Sequence, residues 1–372
     1  MARYIGLSSG TSMDGIDAGL ITISDCGVTL EAYREYPYSD ALRALLEAVV
    51  GGRRLMSTAE CGALHVRIGQ EFALAAQRLL SDTGVPASLV DAIGSHGQTV
   101  SHGPGAPTRY SLQLGDPSVI SSETGILTVA DFRSKDVALG GQGAPLVPAF
   151  HREMFQVSGQ DVAVVNIGGI ANVTLLPGTS NREVIAFDTG PGNTLLDQWI
   201  RRVSGESMDT DGIWASSGNV DEYLLALMLS ESYFDLSPPK STGREDFNVD
   251  WLLERLANAD NMVISAADVQ RTSLELTCRT ILSAVERYQP DGSELLVCGG
   301  GAQNHALIAR LSVLAGKRRV RTTDQIGVPS AAIEAMAFAW LAHRRLRQLP
   351  GNLPSATGAS RPAVLGGIYS PD

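Results

Sequence analysis

The chain has 372 residues, of which 44% are hydrophobic and 19% charged, and its formal net charge is −11 at pH 7. This composition is typical of a folded globular protein, the length predicts two domains, and the negative charge argues against nucleic acid or an anionic membrane surface as a partner. The four cysteines have neither zinc-site nor CxxC spacing, and no signal-peptide pattern or membrane-length apolar run is seen, so we expect a cytoplasmic protein.

The first predicted element is a β-hairpin over residues 4–23, in which two apolar runs flank the turn SSGTSMDG at residues 8–15. Its glycines and successive backbone amides favour phosphate binding. Asp14 suits a magnesium–phosphate complex better than a bare phosphate. An ordinary Gly/Ser hairpin is an equally good interpretation of this stretch alone.

A third strand over residues 28–36, helices over 40–49 and 57–80, and a buried strand over 89–94 follow. With a helix at 118–125 and a strand at 127–133, this is the element order of a ribonuclease-H-like half-domain. The strand at 89–94 leads into a polar loop that carries His96, Gln98 and Thr99. Because ligands bind at the carboxyl ends of parallel strands, we favour a substrate contact there over a structural role.

The second half repeats the layout of the first. A glycine-rich segment at 140–148 predicts a crossing between domains, and a second hairpin at 161–176 turns at Gly168-Gly169. A third strand at 183–187 and a helix at 194–203 come next. This amounts to an internal structural repeat without repeated residues.

Asp188 directly follows that third strand and precedes a Thr-Gly-Pro-Gly-Asn run. A half-buried carboxylate at a sheet edge has a raised pKa and can act as a general base. The alternative is an N-cap for the following helix.

Residues 237–247 form a proline-braced loop with Lys240 and Arg244, followed by a long amphipathic helix at 266–288. A buried strand at 294–298 feeds Gly299-Gly300-Gly301 and a helix at 305–314. This loop matches only part of GxGxxG, and the first hairpin lacks the P-loop lysine. The glycine loop is either an adenosine platform or a simple βα turn. A helix at 331–346 and a Pro/Gly-rich tail complete the chain.

In this order, the motifs resemble those of the anhydro-N-acetylmuramic acid kinase family, within the actin-like ATPase and sugar-kinase superfamily. They lie at residues 9–17, 94–99, 131–133, 140–151, 166–169, 187–193, 239–245, 334–335, 351–352 and 357–359. The resemblance implies an α/β fold of two ribonuclease-H-like domains with the active site in the cleft between them. We place the domains at 1–133, with 345–372 packing back on it, and at 134–344, which carries the adenosine loop.

The resemblance also implies an ATP- and Mg²⁺-dependent reaction of cell-wall recycling. The 1,6-anhydro ring of 1,6-anhydro-N-acetylmuramic acid is opened by water and O6 is phosphorylated, which gives N-acetylmuramate 6-phosphate and ADP. Asp188 would activate the water, and Asp14 would orient the metal through water. The sugar would be held by His96, Gln98, Thr99, Arg133 and Glu334. ATP would be held by Gly10, Thr11, Ser12, Met13, Asp14, Gly15, Ile16, Asp17, Gly168, Gly169, Gly299, Gly300, Gly301 and Asn304.

Two other functions stay open at this point. One is a kinase of the same superfamily that acts on a sugar or an acetate-type acceptor without ring opening, and the other is a non-catalytic ATP-driven clamp like actin or a heat-shock chaperone. The sequence does not determine the oligomeric state, and a homodimer is compatible with it.

Overall fold

The computed structural model describes residues 2–10, 13–179, 181–259 and 264–372. Within them the strands are β1 (Ala2–Ser9), β2 (Gly15–Ser24), β3 (Gly27–Pro37), β4 (Ala92–Gly103), β5 (Tyr110–Leu114), β6 (Thr128–Ala130), β7 (Val162–Ile167), β8 (Ile170–Leu176), β9 (Ile185–Pro191), β10 (Glu294–Cys298), β11 (Arg319–Thr322) and β12 (Gly367–Tyr369).

The α-helices of the same residues are α1 (Asp40–Val50), α2 (Thr58–Thr83), α3 (Pro117–Thr124), α4 (Ser134–Ala138), α5 (Val147–Phe155), α6 (Thr194–Ser204), α7 (Ile213–Ser217), α8 (Glu222–Leu229), α9 (Val249–Ala257), α10 (Ala266–Tyr288), α11 (His305–Leu314), α12 (Ile333–Leu346) and α13 (Pro354–Thr357). In this part of the chain, no helix combines the length and the apolar character that crossing a membrane requires.

The chain folds as two compact units, Met1–Phe150 with Ala332–Asp372, and His151–Ala331. The sheet of the first unit has the order β12-β6-β4-β1-β2-β3, and β5 pairs with β4. Strands β1, β2 and β3 are antiparallel neighbours, whereas β4 is parallel to both β1 and β6. Helix α2 covers one face through Ile68, Phe72 and Leu79, which are fully buried with the strand residues.

Helix α12 packs on the first sheet at positions where the strands have no side chain. A Cβ at Gly6 would lie 1.7 Å from the Ala335 carbonyl oxygen, and one at Gly94 would lie 2.0 Å from that of Phe338. Glycine therefore lets the helix and sheet backbones approach closely. This packing puts 332–344 in the first unit, and 134–150 also belongs there, so both boundaries differ from the predicted positions at 133 and 344.

The second unit has a five-stranded sheet with the order β11-β10-β7-β8-β9. Strands β7, β8 and β9 form an antiparallel meander, and β10 runs parallel to β7 and β11. In each unit the first three strands form an antiparallel meander, the fourth strand lies parallel beside the first, and one more parallel strand lies beside the fourth. That last strand is β6 in the first unit, where β5 pairs off this path, and β11 in the second. This shared order is the predicted repeat, and it confirms the ribonuclease-H-like fold class. Helix α10 fills the second core with Leu274, Cys278, Ile281 and Val285, all fully buried.

Two predicted strand ends are wrong. The polar stretch 94–99 lies inside β4, because the parallel β1 pairs with β4 as far as Gln98 and the antiparallel β5 pairs with it from Gln98 onward. Asp188 lies inside β9, where it pairs with Asn172 of β8, and does not follow the end of the strand. In both cases polar residues continue a strand because a neighbouring strand supplies hydrogen bonds beyond the apolar stretch.

Candidate functional site

The first hairpin is shaped mainly by packing in the first unit. Thr11 and Ser12 lie outside the described residues. The side chains of Met13 and Ile16 are buried in the core, so these residues can offer a ligand only their backbone groups. A Cβ at Gly15 would lie 2.4 Å from the Tyr36 carbonyl oxygen, so this glycine is required by the neighbouring strand.

Gly10 and Gln98 link the hairpin to β4. The Ser9 hydroxyl lies 2.7 Å from Oε1 of Gln98, and Nε2 of Gln98 donates to the Gly10 carbonyl at 3.3 Å. Gln98 is almost fully buried, and both ends of its amide are used within the protein. It was predicted to hold the sugar, but its bonds fit a residue that fixes the turn. Thr99 accepts from Nε2 of Gln113 at 3.1 Å.

Asp17 and Asp14 differ in their surroundings. The Asp17 carboxylate accepts from the Tyr33 hydroxyl at 2.5 Å. Burial raises the pKa of Asp17 to about 7, Tyr33 opposes this, and the nearby charges of Glu334 and other carboxylates raise it further. Asp14 is exposed, and its carboxylate pairs with Arg43 at 3.0 Å. Asp17 is thus poised to exchange a proton near neutral pH, whereas Asp14 lies at the surface in an ion pair with Arg43.

Arg133 and His96 form a buried pair. Nε of Arg133 donates to Nε2 of His96 at 3.0 Å, and Nη1 donates to the Gly143 carbonyl at 2.7 Å. The His96 ring stacks on Phe338 with centroids 4.5 Å apart. Burial, helped by the charge of Arg133, holds the pKa of His96 well below its usual value. His96 is therefore neutral with its proton on Nδ1. That buried Nδ1 makes no well-formed hydrogen bond in the described protein, although the Gly97 backbone lies near enough to oppose the lowering of the pKa of His96.

Glu334 lies in the first turn of α12. Burial raises the pKa of its carboxyl, and the charge of Arg133 opposes this. His96, Arg133 and Glu334 thus form a group with an unpartnered donor, a guanidinium and a carboxyl group. Of the five residues predicted to hold the sugar, the structure brings these three together as polar groups suited to a ligand.

The sequence did not assign roles to the residues behind Arg133. Asp136 is fully buried, and its carboxylate accepts from Gly143 N at 2.9 Å, Asn352 Nδ2 at 2.6 Å and Thr357 Oγ1 at 2.8 Å. These bonds tie the C-terminal segment to the loop whose Gly143 carbonyl holds Arg133. The motifs at 351–352 and 357–359 contain Asn352 and Thr357, but only the fold shows that these side chains contact Asp136.

In the second unit, Asp188 is held by the loop that follows α8. Its Oδ2 accepts from Thr242 N at 3.0 Å, and its own N–H donates to the Lys240 carbonyl at 3.3 Å. The Tyr233 hydroxyl donates to the Asp188 carbonyl at 2.8 Å. Burial raises the pKa of Asp188 to about 6, against the Thr242 hydrogen bond and the charge of Lys240. The N-cap alternative is excluded, because α6 begins at Thr194 and its cap residue is Asn193.

Lys240 itself is turned into the protein. Its ammonium donates to the carbonyls of Tyr233 and Phe234 at 3.0 and 3.3 Å and lies 4.5 Å from the Tyr233 ring centroid. Burial lowers the pKa of Lys240. Its stem therefore braces the loop whose backbone holds Asp188, a role that the sequence did not indicate.

The Gly168-Gly169 turn interlocks with the start of α6. Asn193 N donates to the Gly168 carbonyl at 2.8 Å, and Gly192 N and Thr194 N donate to that of Gly169 at 2.9 and 3.1 Å. Nδ2 of Asn193 donates to the Ile167 carbonyl at 3.3 Å. The turn is thereby fixed as a rigid, side-chain-free edge of the kind that phosphates approach.

The Gly299-Gly300-Gly301 loop lies beside the same turn. A Cβ at Gly299 would lie 2.2 Å from Asn166 Oδ1, one at Gly301 would lie 2.4 Å from Ile167 Cγ2, and one at Gly300 would lie 3.7 Å from Asn193 Nδ2. The two predicted nucleotide loops of this unit are therefore neighbours. Asn304 differs, since its Oδ1 accepts from Leu307 N at 3.0 Å as the N-cap of α11.

The described residues contain no group of three or more His, Cys, Asp or Glu side chains that could hold a metal ion. Mg²⁺ keeps several waters and is commonly bound through one or two carboxylates and the substrate phosphates. A single carboxylate such as Asp14 fits a hydrated Mg²⁺ carried by a nucleotide, and it would then share its charge between the metal and Arg43.

Comparisons with known proteins agree over the whole chain. The family model described as anhydro-N-acetylmuramic acid kinase matches residues 2–371. The anhydro-N-acetylmuramic acid kinase of Shewanella loihica is 49% identical over 98% of this chain and 98% of its own length. That of Vibrio cholerae is 47% identical over 99% of this chain and 98% of its own. Among solved structures, the activator of 2-hydroxyisocaproyl-CoA dehydratase from Clostridium difficile aligns with a TM-score of 0.48 at 11% identity, covering 93% of this chain and 96% of that chain. This likeness is too low to support a functional conclusion.

Proposed function

Because the chain belongs to the anhydro-N-acetylmuramic acid kinase family and is therefore a kinase, we propose that it opens the 1,6-anhydro ring of 1,6-anhydro-N-acetylmuramic acid with water and phosphorylates O6 from ATP. The products are N-acetylmuramate 6-phosphate and ADP, and the reaction serves cell-wall recycling in the cytoplasm. The observation that carries this proposal is the carboxylate of Asp188, held by the Thr242 amide with its pKa raised to about 6.

Asp188 acts as the general base. It takes a proton from water as the water oxygen bonds to C1, and the C1–O6 bond breaks with its electron pair on O6. O6 then bonds to the γ-phosphorus, and the bond from that phosphorus to the bridging oxygen breaks to release ADP. A base with a pKa near 6 is ionised at neutral pH and still a better proton acceptor than an ordinary aspartate.

The group of His96, Arg133 and Glu334 binds the sugar. Arg133 pairs with the lactyl carboxylate, because a guanidinium can donate two parallel hydrogen bonds to a carboxylate. His96, neutral and with a free Nδ1–H, donates to a sugar oxygen. Glu334 accepts from a sugar hydroxyl when it is ionised.

ATP binds through the glycine turns. Gly168 and Gly169 face its phosphates, and the loop at 299–301 takes the adenosine end. Backbone groups of the first hairpin at 10–17 also contact the phosphates, and Asp14 orients a hydrated Mg²⁺. When bound, the metal neutralises charge on the β- and γ-phosphates.

The first test uses ¹⁸O-labelled water. We expect the phosphorylated product to carry the label at the anomeric oxygen, because water attacks C1. Asp188→Asn should lower kcat by about 10²–10⁴-fold while both ligands still bind, since an amide cannot accept the proton. Asp250→Asn, which changes an exposed carboxylate of α9, is the matched control and should keep wild-type kcat.

Product without label, or an Asp188→Asn enzyme with near wild-type turnover, would refute this mechanism. An unlabelled phosphosugar would instead favour a sugar kinase of the same superfamily that acts without ring opening. Turnover of ATP with the anhydro sugar, compared with ordinary hexoses, measures the substrate preference directly.

A further inference from the structure

Arg244 occupies an unusual place in the second unit. Its side chain is exposed, and none of the ion pairs among the described residues includes it. Its guanidinium nevertheless lies against the phosphate turn, because a Cβ built at Gly169 would come within 2.9 Å of both Nε and Nη2. An exposed cation normally gains little from holding one position, so this placement calls for an anion at the same turn.

A second polar group lies at the same point. The Thr194 hydroxyl, at the first position of α6, would lie 2.8 Å from the same Cβ position. Thr194 is 4% exposed, and its Oγ1 has no hydrogen-bond partner in the described protein. A buried hydroxyl without a partner is costly, and an anion oxygen would satisfy it. The helix N-terminus adds a favourable field for a negative charge.

The loop that carries Arg244 also holds the base. Thr242, two residues earlier, donates its amide to Asp188. Two residues of extended chain span about 7 Å, so one short segment fixes both the carboxylate and the guanidinium. The two reacting atoms of the proposed substrate are also close together. Water attacks C1, and C1 is bonded directly to O6, the atom that takes the phosphoryl group.

We propose that Arg244 is a further catalytic residue, which contacts the transferred γ-phosphoryl group at the Gly169 turn together with the Thr194 hydroxyl. This rests on the proposed function. As O6 bonds to the γ-phosphorus and the bond to ADP breaks, negative charge spreads over the three equatorial oxygens. The guanidinium donates two hydrogen bonds to these oxygens and stabilises that charge. No proton is taken from Arg244.

The test compares Arg244→Ala and Arg244→Lys with Arg202→Ala. Arg202 is an exposed arginine near the other end of α6 and serves as the matched control. We expect Arg244→Ala to lower kcat by about 10²–10³-fold, as the loss of a transition-state contact does. The same variant should bind a non-hydrolysable ATP analogue more weakly than wild type does, with a smaller loss of affinity for ADP, because only the analogue has a γ-phosphate. Arg244→Lys should keep more activity, and added guanidinium should partly restore Arg244→Ala.

A structural role gives a different pattern. If Arg244→Ala keeps kcat and the affinity for the ATP analogue within about threefold of wild type, the proposal is wrong. It is also wrong if Arg244→Ala lowers the affinities for the ATP analogue and for ADP equally, lowers the melting temperature, and recovers no activity with added guanidinium. Failure of the proposed function would be seen separately, as a wild-type enzyme that makes no phosphosugar, and the two nucleotide affinities would still test Arg244.

Discussion

At the scale of single residues, the proposed role of Asp188 as a general base conflicts with the stability of the fold. A carboxylate whose pKa is raised by burial is a better base, but its ionised form is less stable in the folded protein than in the unfolded chain. The Thr242 amide lowers this cost without removing it. Active sites commonly carry such a cost.

Asp188→Asn should therefore stabilise the fold at neutral pH. The pKa of Asp188 is about 6 in the folded protein and 3.8 in the unfolded chain, so the folded protein holds more protons between these values. Its stability falls as the pH rises through this window, and the penalty is complete above about pH 7. The variant, which carries no charge there, should gain up to about 3 kcal/mol above pH 7 and nothing below about pH 3.5.

Urea unfolding from pH 3.5 to 8 measures this difference, with Asp250→Asn as the exposed control. An equal gain at all pH values would point to an effect of the amide on packing, and no gain would mean that burial does not destabilise the charge.

The same scale shows which site residues a sequence can identify. Asp188 and Gln98 were predicted from their positions after apolar runs, and Arg133, Glu334 and Asn304 from the family resemblance. Of these, Gln98 and Asn304 use their amides within the protein. Whether a polar atom is free for a ligand depends on neighbours distant in sequence.

At the scale of elements, the C-terminal segment 350–359 is connected to Arg133 through three successive hydrogen-bonded steps. Asn352 and Thr357 hold the Asp136 carboxylate, Asp136 holds the Gly143 amide, and the Gly143 carbonyl holds Arg133. All the bonds to Asp136 are buried, so the loss of one leaves an unsatisfied group.

We expect Thr357→Val to raise KM for the anhydro sugar several-fold with a smaller change in kcat, because it loosens Arg133 without touching the base. It should also lower the free energy of unfolding by about 1–3 kcal/mol. Thr357→Ser keeps the hydroxyl and is the matched control. Steady-state kinetics and urea unfolding measure both effects, and a stability loss with unchanged KM would mean that the segment does not position Arg133.

At the scale of the whole molecule, the glycine turns at 168–169 and 299–301, which we propose bind the nucleotide, belong to the second unit, and the group around Arg133 belongs to the first. ATP and the sugar should therefore slow amide hydrogen exchange in different segments of the chain. A ligand protects amides where it stabilises the native state.

Hydrogen exchange followed by mass spectrometry tests this assignment. ATP alone should slow exchange at 167–170, 192–195 and 299–303, and also at 8–15 if the first hairpin contacts the phosphates. The anhydro sugar should slow exchange at 94–99 and 133–143. ADP with an ordinary hexose serves as the comparison, and ATP protection confined to 94–99 and 133–143 would overturn the assignment.

Much of the architecture is local in origin and was predicted. The helices at 266–288 and 305–314 have the bounds that their periodicity indicated, and both hairpins turn where glycines interrupt apolar runs. Periodicity and glycine position are properties of neighbouring residues, so a sequence displays them directly. The repeat of the two halves was visible for the same reason.

The unit boundaries and the use of each polar atom came only from the tertiary structure. Helix α12 belongs to the first unit because Gly6 and Gly94 admit its backbone, and no local pattern connects residues so far apart. The sequence likewise predicted phosphate binding at the Gly169 turn, but it did not indicate that Arg244, some seventy residues later, lies beside this turn. By itself the sequence determined which elements form and which residues carry charge. The fold decided which of those charges meet, because that depends on packing between distant segments.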